Sequence, residues 1–186
     1  GHTDNQTWIS DGTLGGSYEL SSSAGASLGS QSFAVVGNML FLSVQGAGAG
    51  LWVSDGTSAS TEQLLAGAAP TDLSVLNGRL YFLYNGSLWT SDGTVAGTQT
   101  VYAGTDAANL TAAGSSLFFT RSDPATGSEL WVSDGTAAGT HEAVDAYPGH
   151  NGSFSNDLTA SNGALYFVAQ DPIGGEFRIC CDEQNY

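Results

Sequence analysis

The feature that most constrains this chain is a hexapeptide, Trp-x-Ser-Asp-Gly-Thr, which occurs four times and contains every tryptophan of the sequence. A second block, a short turn followed by a leucine and an aromatic or apolar pair, recurs at a fixed place between the copies. The period of roughly 40 residues is typical of arrays in which each repeat is one supersecondary unit. The hexapeptides begin at Trp8, Trp52, Trp89 and Trp131, and the second block covers 36–42, 76–82, 113–119 and 161–167.

Each repeat is predicted to form four short antiparallel strands. Asn77-Gly78 and Asn162-Gly163 favour tight hairpin turns, because both turn positions need a positive φ. Ser-Asp-Gly-Thr favours a further hairpin, since Asp accepts backbone N–H groups and Gly permits a left-handed step. In the segment 129–133, Leu130 and Val132 point to one face and Trp131 to the other, so both faces are apolar. Sequential hairpins covered on both faces indicate blades packed between blades.

The predicted fold is therefore all-β, a β-propeller of four-stranded antiparallel blades. A β-sandwich would not explain the period. We predict one repeat domain over 1–179 and a polar tail over 180–186 that contains Cys180 and Cys181. A closed ring of four blades is the first interpretation, and a fragment of a larger ring or half of a dimeric ring are the alternatives. The units are about 14–53, 54–90 and 91–132, with a closing unit from 133–179 plus 7–13.

The copies resemble the ELWxSDGTxxGT repeat of bacterial, apparently exported proteins. The segment Glu129–Thr140 matches this motif throughout, while the other copies lack the Glu and the second also lacks the later Gly. The resemblance extends over about Thr7 to Glu176. It implies an extracellular, propeller-like array. It implies no catalytic residue, so none is carried over.

Charge and hydropathy exclude two classes of partner. The formal net charge is −15, with 18 acidic residues against three Lys and Arg, so binding to a phosphate backbone is not expected. The longest apolar runs, such as 80–84, are too short to cross a bilayer, so membrane insertion is not expected either. We expect an acidic protein of the cell surface or the extracellular space.

The repeated residues are predicted to have structural roles. A ring of Asp carboxylates could ligate Ca²⁺, but repetition in every blade favours an Asp that bonds its own turn. The tryptophans could form platforms for sugars, but a position inside an apolar strand favours burial between blades. The structural set comprises Trp8, Trp52, Trp89, Trp131, Asp11, Asp55, Asp92 and Asp134.

The candidates for ligand contact are weaker. Tyrosines near strand ends and one loop histidine could meet a ligand, and carboxylates in the loops between second and third strands supply oxygens of the kind that Ca²⁺ prefers. We predict no resident cofactor and no metal, with Ca²⁺ as the one alternative. The ligand candidates are Tyr84, Tyr102, Tyr147 and His150, the metal candidates are Asp123, Glu129, Asp171 and Glu176, and the loops are 45–50, 122–128 and 170–175.

No catalytic constellation is evident in the sequence: Gly-x-Ser-x-Gly and His-Glu-x-x-His are both absent. The prediction is a non-catalytic extracellular module that binds a glycan or a protein surface, or that scaffolds a surface protein. The first alternative is a polysaccharide hydrolase or lyase with a carboxylate site. The second is a structural filament or surface-layer subunit that associates with itself.

Overall fold

The structure is a computed structural model that describes residues 6–123, 127–144, 157–170 and 176–181. Within them the chain forms short strands joined by turns, with a single 3₁₀ turn at Ser58–Ser60 and no helix long and apolar enough to cross a membrane. The strands are β1 (Trp8–Ile9), β2 (Tyr18–Glu19), β3 (Ser30–Val36), β4 (Met39–Val44), β5 (Gly50–Ser54), β6 (Glu62–Ala66), β7 (Thr71–Leu76), β8 (Arg79–Tyr84), β9 (Ser87–Ser91), β10 (Gln99–Tyr102), β11 (Ala107–Ala113), β12 (Ser116–Asp123), β13 (Gly127–Ser133), β14 (His141–Val144), β15 (Thr159–Ser161), β16 (Ala164–Gln170) and β17 (Glu176–Cys181).

Consecutive strands pair antiparallel and form blades. Blade 1 is β3–β6, blade 2 is β7–β10 and blade 3 is β11–β14, and each has four strands in chain order. The last sheet, β15–β17, has three strands, and the first ribbon, β1–β2, has two. The prediction of an all-β, propeller-like fold with four-stranded antiparallel blades is confirmed.

The sheets pack face to face in the order of the sequence. Four apolar clusters fill the four junctions, and each cluster draws residues from two neighbouring units. Between blades 1 and 2, Phe41 and Leu51 meet Leu80 and Phe82. The first strands β3, β7, β11 and β15 contact one another in series, so the blades are arranged about their innermost strands.

The repeat units of the sequence and the sheets of the structure differ in phase by one strand. The sequence units, such as 54–90, run from the fourth strand of one blade to the third strand of the next. The sheets instead span 30–66, 71–102 and 107–144, because the hairpin at Ser-Asp-Gly-Thr joins the third and fourth strands within one blade.

The pairing of β17 shows which segment forms the third strand of the last sheet. β17 pairs with β16 from Leu165 opposite Cys181 to Gln170 opposite Glu176, so it occupies the place of a third strand. β1 carries the motif of a third strand but pairs with β2. Residues 7–13 therefore share no sheet with β15–β17, and their membership of a closing blade stays a prediction. Of the predicted tail, 180–181 end β17 and 182–186 lie outside the described residues.

Candidate functional site

Each Ser-Asp-Gly-Thr segment forms several hydrogen bonds within its own turn. In blade 3, Asp134 Oδ1 accepts hydrogen bonds from the backbone N–H of Thr136 at 2.8 Å and from its hydroxyl at 2.7 Å. Ser133 Oγ accepts the N–H of Gly135 at 3.1 Å, and the Thr140 hydroxyl donates to the Thr136 carbonyl at 2.6 Å. Asp11 and Asp92 make the same contacts with Thr13 and Thr94. These bonds give each Asp a role within its own turn.

The second copy holds its Asp carboxylate with an additional residue, Ser60. It has Ser60 where the three other copies have the later glycine, and the Ser60 hydroxyl donates to Asp55 Oδ1. Asp55 still accepts the N–H of Thr57 at 2.9 Å. In this copy a serine hydroxyl binds the Asp carboxylate, whereas a glycine at this position only leaves space for the carboxylate.

In the third copy, the later glycine lies directly against the motif carboxylate. A Cβ on Gly97 would lie 1.9 Å from Asp92 Oδ1, whereas a Cβ on Gly15 of the first turn would meet nothing within 4 Å. We expect Gly97→Ala to lower the free energy of unfolding by about 1–3 kcal/mol, as overpacking does. The measurement is urea denaturation.

Two variants control this prediction. Gly15→Ala should be neutral or slightly stabilising, because the neighbouring space is open and the third copy has Ala96 there. The cost of Gly97→Ala should shrink in an Asp92→Ala background, where the carboxylate is absent. An equal cost in both backgrounds would contradict the steric explanation.

The turn contacts lower the pKa of these carboxyl groups. The pKa values of Asp11, Asp92 and Asp134 lie below the ordinary 3.8, first because a Thr hydroxyl donates to the carboxylate and then because a backbone N–H does. For Asp55 the Ser60 hydroxyl is the largest cause of the lowered pKa. Hydrogen bonds to the ionised form favour ionisation.

This shift predicts a pH dependence. Because the pKa of Asp134 is lower in the folded state than in the unfolded state, its stabilising contribution is present above pH 3.8 and is lost as the pH falls through the folded value. The stability gap between the protein and Asp134→Asn should therefore narrow below pH 3.8. Urea melts across this range measure the gap. Asp72→Asn, an exposed site on β7, controls for the loss of one charge.

The predicted metal ligands are only partly described. Glu129 lies inside β13, is 2% exposed and stands opposite Arg121 in the register, so it is a buried strand residue and not a loop residue. The backbone of Asp123 ends β12 and that of Glu176 begins β17, while Asp171 lies outside the described residues. Among the described residues, no group of three or more His, Cys, Asp or Glu could hold a metal ion. Calcium binding stays the alternative to the predicted absence of a metal.

Three of the four tryptophans line the junctions between sheets. Trp52, Trp89 and Trp131 are half-buried and pack against the apolar clusters that their blades share with the preceding unit. Trp8 differs from the expectation of burial, because 60% of it is exposed. Each of the other three tryptophans lies opposite an apolar residue on the second strand of its own blade. In the described part of the chain, β1 pairs with β2 instead, and Trp8 lies opposite Glu19.

The candidate site lies where Trp131 meets blade 2. The ring centres of Trp131 and Tyr102 are 5.3 Å apart, and the Arg121 guanidinium stands 5.0 Å from the Trp131 ring centre and 5.8 Å from that of Tyr102. Arg121 Nε lies 3.3 Å from Asp106, which belongs to the connection between blades 2 and 3. We call these four residues the aromatic–arginine cluster. It combines two π-faces with a charged pair that is only partly exposed.

The corresponding place between blades 1 and 2 is built differently. Tyr84 meets Trp89 edge-on at 5.6 Å, and its hydroxyl donates to the Ala66 carbonyl at 3.1 Å. Tyr84 and Tyr102 are both half-buried and pack against motif tryptophans, and their role as ligand contacts stays a prediction. Of the other ligand candidates, Tyr147 and His150 lie outside the described residues.

One predicted loop can be followed throughout. In 45–50, the Gly48 carbonyl accepts hydrogen bonds from Trp52 Nε1 at 2.8 Å and Gln63 Nε2 at 3.1 Å. The loop therefore packs on the tryptophan of its own blade. In the other two loops, 124–126 and 171–175 lie outside the described residues.

Sequence reasoning missed Arg121 and Asp106. Arg121 occupies the strand position that holds Val44, Tyr84 and Ala169 in the other units, and a lone arginine at a repeated apolar or aromatic position was the available signal. Asp106 carried no such signal, because it lies in a connection between blades and in neither of the repeated blocks.

The fold resembles that of solved structures. The crystal structure of puromycin hydrolase matches with a TM-score of 0.62 at 15% identity, over 91% of this chain and 29% of that chain. A serine-to-alanine mutant of puromycin hydrolase complexed with PGG matches with a TM-score of 0.56 at 16% identity and the same coverage. This chain thus spans less than a third of the hydrolase, and the likeness shows the fold alone. No family model and no curated protein matches the chain.

Proposed function

We propose that the chain is a non-catalytic binding module of an exported bacterial surface protein and that the aromatic–arginine cluster is its ligand site. The observation that carries this proposal is the partly exposed pair Arg121–Asp106 against Tyr102 and Trp131. The site lies at the junction of blades 2 and 3, and three of its four residues stand on strands that are paired within these blades. The resemblance of the repeats to the ELWxSDGTxxGT family supports an extracellular location.

The chemistry of the cluster suits a neutral glycan. Aromatic faces pack on the apolar faces of sugar rings, and a guanidinium beside a carboxylate offers donors and acceptors to neighbouring hydroxyls. The net charge of −15 disfavours acidic polysaccharides and nucleic acids, since both would be repelled. Use of the same frame as a scaffold fits the fold equally well but would leave the cluster without a role.

The test is a glycan array followed by titration calorimetry with the best neutral glycan. Tyr102→Leu should weaken binding by about fivefold or more, because it removes one aromatic face. Arg121→Lys should also weaken binding, since an ammonium lacks the planar fork of a guanidinium. Phe33→Leu, an exposed aromatic site on blade 1, is the control and should bind as the unchanged protein does.

Two further arms test the rival functions. Hydrolysis or lysis of the bound glycan, abolished by substitution of one carboxylate, would contradict a non-catalytic module. Titration with Ca²⁺ and with a chelator should leave binding and melting temperature unchanged. Equal affinity of Tyr102→Leu and the unchanged protein would remove the cluster as the site.

A further inference from the structure

The connection between blades 2 and 3, residues 103–106, carries Asp106 of the aromatic–arginine cluster and lies directly on the hairpin between β8 and β9. The Ala107 N–H, where β11 begins, donates to the Gly86 carbonyl of that hairpin at 3.0 Å. A Cβ on Gly86 would lie only 2.1 Å from the carbonyl carbon of Thr105. The hairpin of blade 2 and the connection are therefore in close backbone contact.

The Ser87 hydroxyl, at the start of β9, fixes the same connection from a second direction. It donates to the Gly104 carbonyl at 2.7 Å and accepts the Gly104 N–H at 3.1 Å. One half-buried hydroxyl thus satisfies both backbone groups of a single residue of the connection. Blades 1 and 3 have Gly50 and Glu129 at this strand position, so neither offers a hydroxyl there.

Gly104 in turn lies against two members of the cluster. A Cβ on Gly104 would lie 2.9 Å from Tyr102 Cε1 and 3.4 Å from Asp106 Oδ1. Asp106 Oδ1 lies 3.3 Å from Arg121 Nε, which donates to it. A series of contacts therefore leads from Ser87 through the connection to the guanidinium of Arg121.

We propose that Ser87 is a positioning residue of the ligand site, which holds the connection so that Asp106 keeps the Arg121 guanidinium over the aromatic rings. This inference rests on the proposed function of the aromatic–arginine cluster. A guanidinium is planar, so its donors and its stacking face suit a ligand in one orientation only. Groups that are held in the binding orientation beforehand lose less conformational freedom when the ligand binds.

NMR of the free protein tests the positioning without any ligand. The chain has three arginines and no lysine, so its Nε–H signals are few and can be assigned by Arg→Lys substitution. The Arg121 signal reports on Asp106 and on the two rings beside the guanidinium. Ser87→Ala should shift this signal and leave that of Arg79 in place. Ser87→Thr keeps the hydroxyl and should restore the signal.

Calorimetry with the neutral glycan that the array selects measures the consequence for binding. Ser87→Ala should weaken binding by about fivefold, because two hydrogen bonds that hold the connection are lost. Ser87→Thr should bind within about twofold of the unchanged protein. Gly104→Ala is an independent second variant, since its Cβ would enter the space between Tyr102 and Asp106. It should shift the Arg121 signal and weaken binding as well.

The matched control is Ser43→Ala at the preceding junction. The Ser43 hydroxyl donates to the Pro70 carbonyl at 2.6 Å, in the connection between blades 1 and 2. Its removal deletes the same kind of bond far from the cluster along the chain. The Arg121 signal and the glycan affinity should both stay as in the unchanged protein. Thermal melts verify that every variant folds.

The outcomes separate this inference from the proposed function. Tyr102→Leu weakening glycan binding while Ser87→Ala changes neither the affinity nor the Arg121 signal would keep the site and overturn the role of Ser87. An equal shift of the Arg121 signal in Ser43→Ala would overturn it too, because a general loss of stability would then explain the effect. If the unchanged protein binds no glycan, the proposed function fails, and the Arg121 signal alone decides whether Ser87 positions the guanidinium.

Discussion

Gly135→Ala is expected to lower the free energy of unfolding by about 2–5 kcal/mol, as the sum of two costs. The backbone at Gly135 has φ +91°, where an L-residue is disfavoured by roughly 1–2 kcal/mol. The added Cβ would also lie 2.2 Å from Tyr81 Oη of the preceding blade, and overpacking costs about 1–3 kcal/mol more. Urea denaturation followed by tryptophan fluorescence measures the loss.

The structural reason is that the motif glycine is also a docking point between units. A Cβ on Gly93 would lie 2.5 Å from Met39 Sδ of blade 1, and one on Gly56 would lie 3.7 Å from Ile9 of the first ribbon. In the second, third and fourth copies, the Ser-Asp-Gly-Thr turn thus approaches the unit that precedes its own blade. The positive φ of the glycine permits the turn, and its lack of a side chain permits the turn to pack closely against the neighbouring unit.

Gly12→Ala separates the two costs. Gly12 has φ +89° at the same place in its own turn, but a Cβ there would meet nothing within 4 Å. This variant should show the cost of the backbone alone, roughly 1–2 kcal/mol at most. Tyr81→Phe should recover part of the loss in Gly135→Ala, because it removes the nearest atom. Equal losses at Gly12 and Gly135 would mean that docking contributes nothing.

The sequence predicted the features that depend on neighbouring residues and on the repeat. The alternation of Leu130, Trp131 and Val132 shows that both faces of the strand are covered, and the Asn-Gly pairs mark their turns. Ser-Asp-Gly-Thr implied a turn in which the Asp accepts backbone hydrogen bonds, as Asp134 does from Thr136. Each of these features depends on residues only a few positions apart.

The sequence could not predict features that arise when different units meet. The contact of Arg121 with Tyr102 and Asp106 joins two blades, and no spacing along the chain encodes it. The exposure of Trp8 was missed for the same reason, because its motif equals the others and only the neighbouring strand differs. Whether β1 or β17 forms the third strand of the last sheet likewise depends on pairing between segments far apart in the sequence.

Phe119→Ala is the other substitution with a large expected effect, a loss of about 3–5 kcal/mol in the free energy of unfolding. Phe119 is fully buried between blades 2 and 3, with Trp131 at 6.2 Å and Tyr102 at 6.1 Å between ring centres. Phe33→Ala is the matched control, since Phe33 is 52% exposed and should cost about 0.5 kcal/mol or less.

Hydrogen exchange shows whether that loss spreads across the junction. Because the cluster around Phe119 takes residues from both blades, its truncation should accelerate exchange in β8 and β9 of blade 2 as well as in β12 and β13 of blade 3. In an array whose units are stabilised by their nearest neighbours, the effect should decline toward blade 1. Acceleration confined to blade 3 would show that the blades are stable separately, and the junctions would then position the aromatic–arginine cluster without holding the array together.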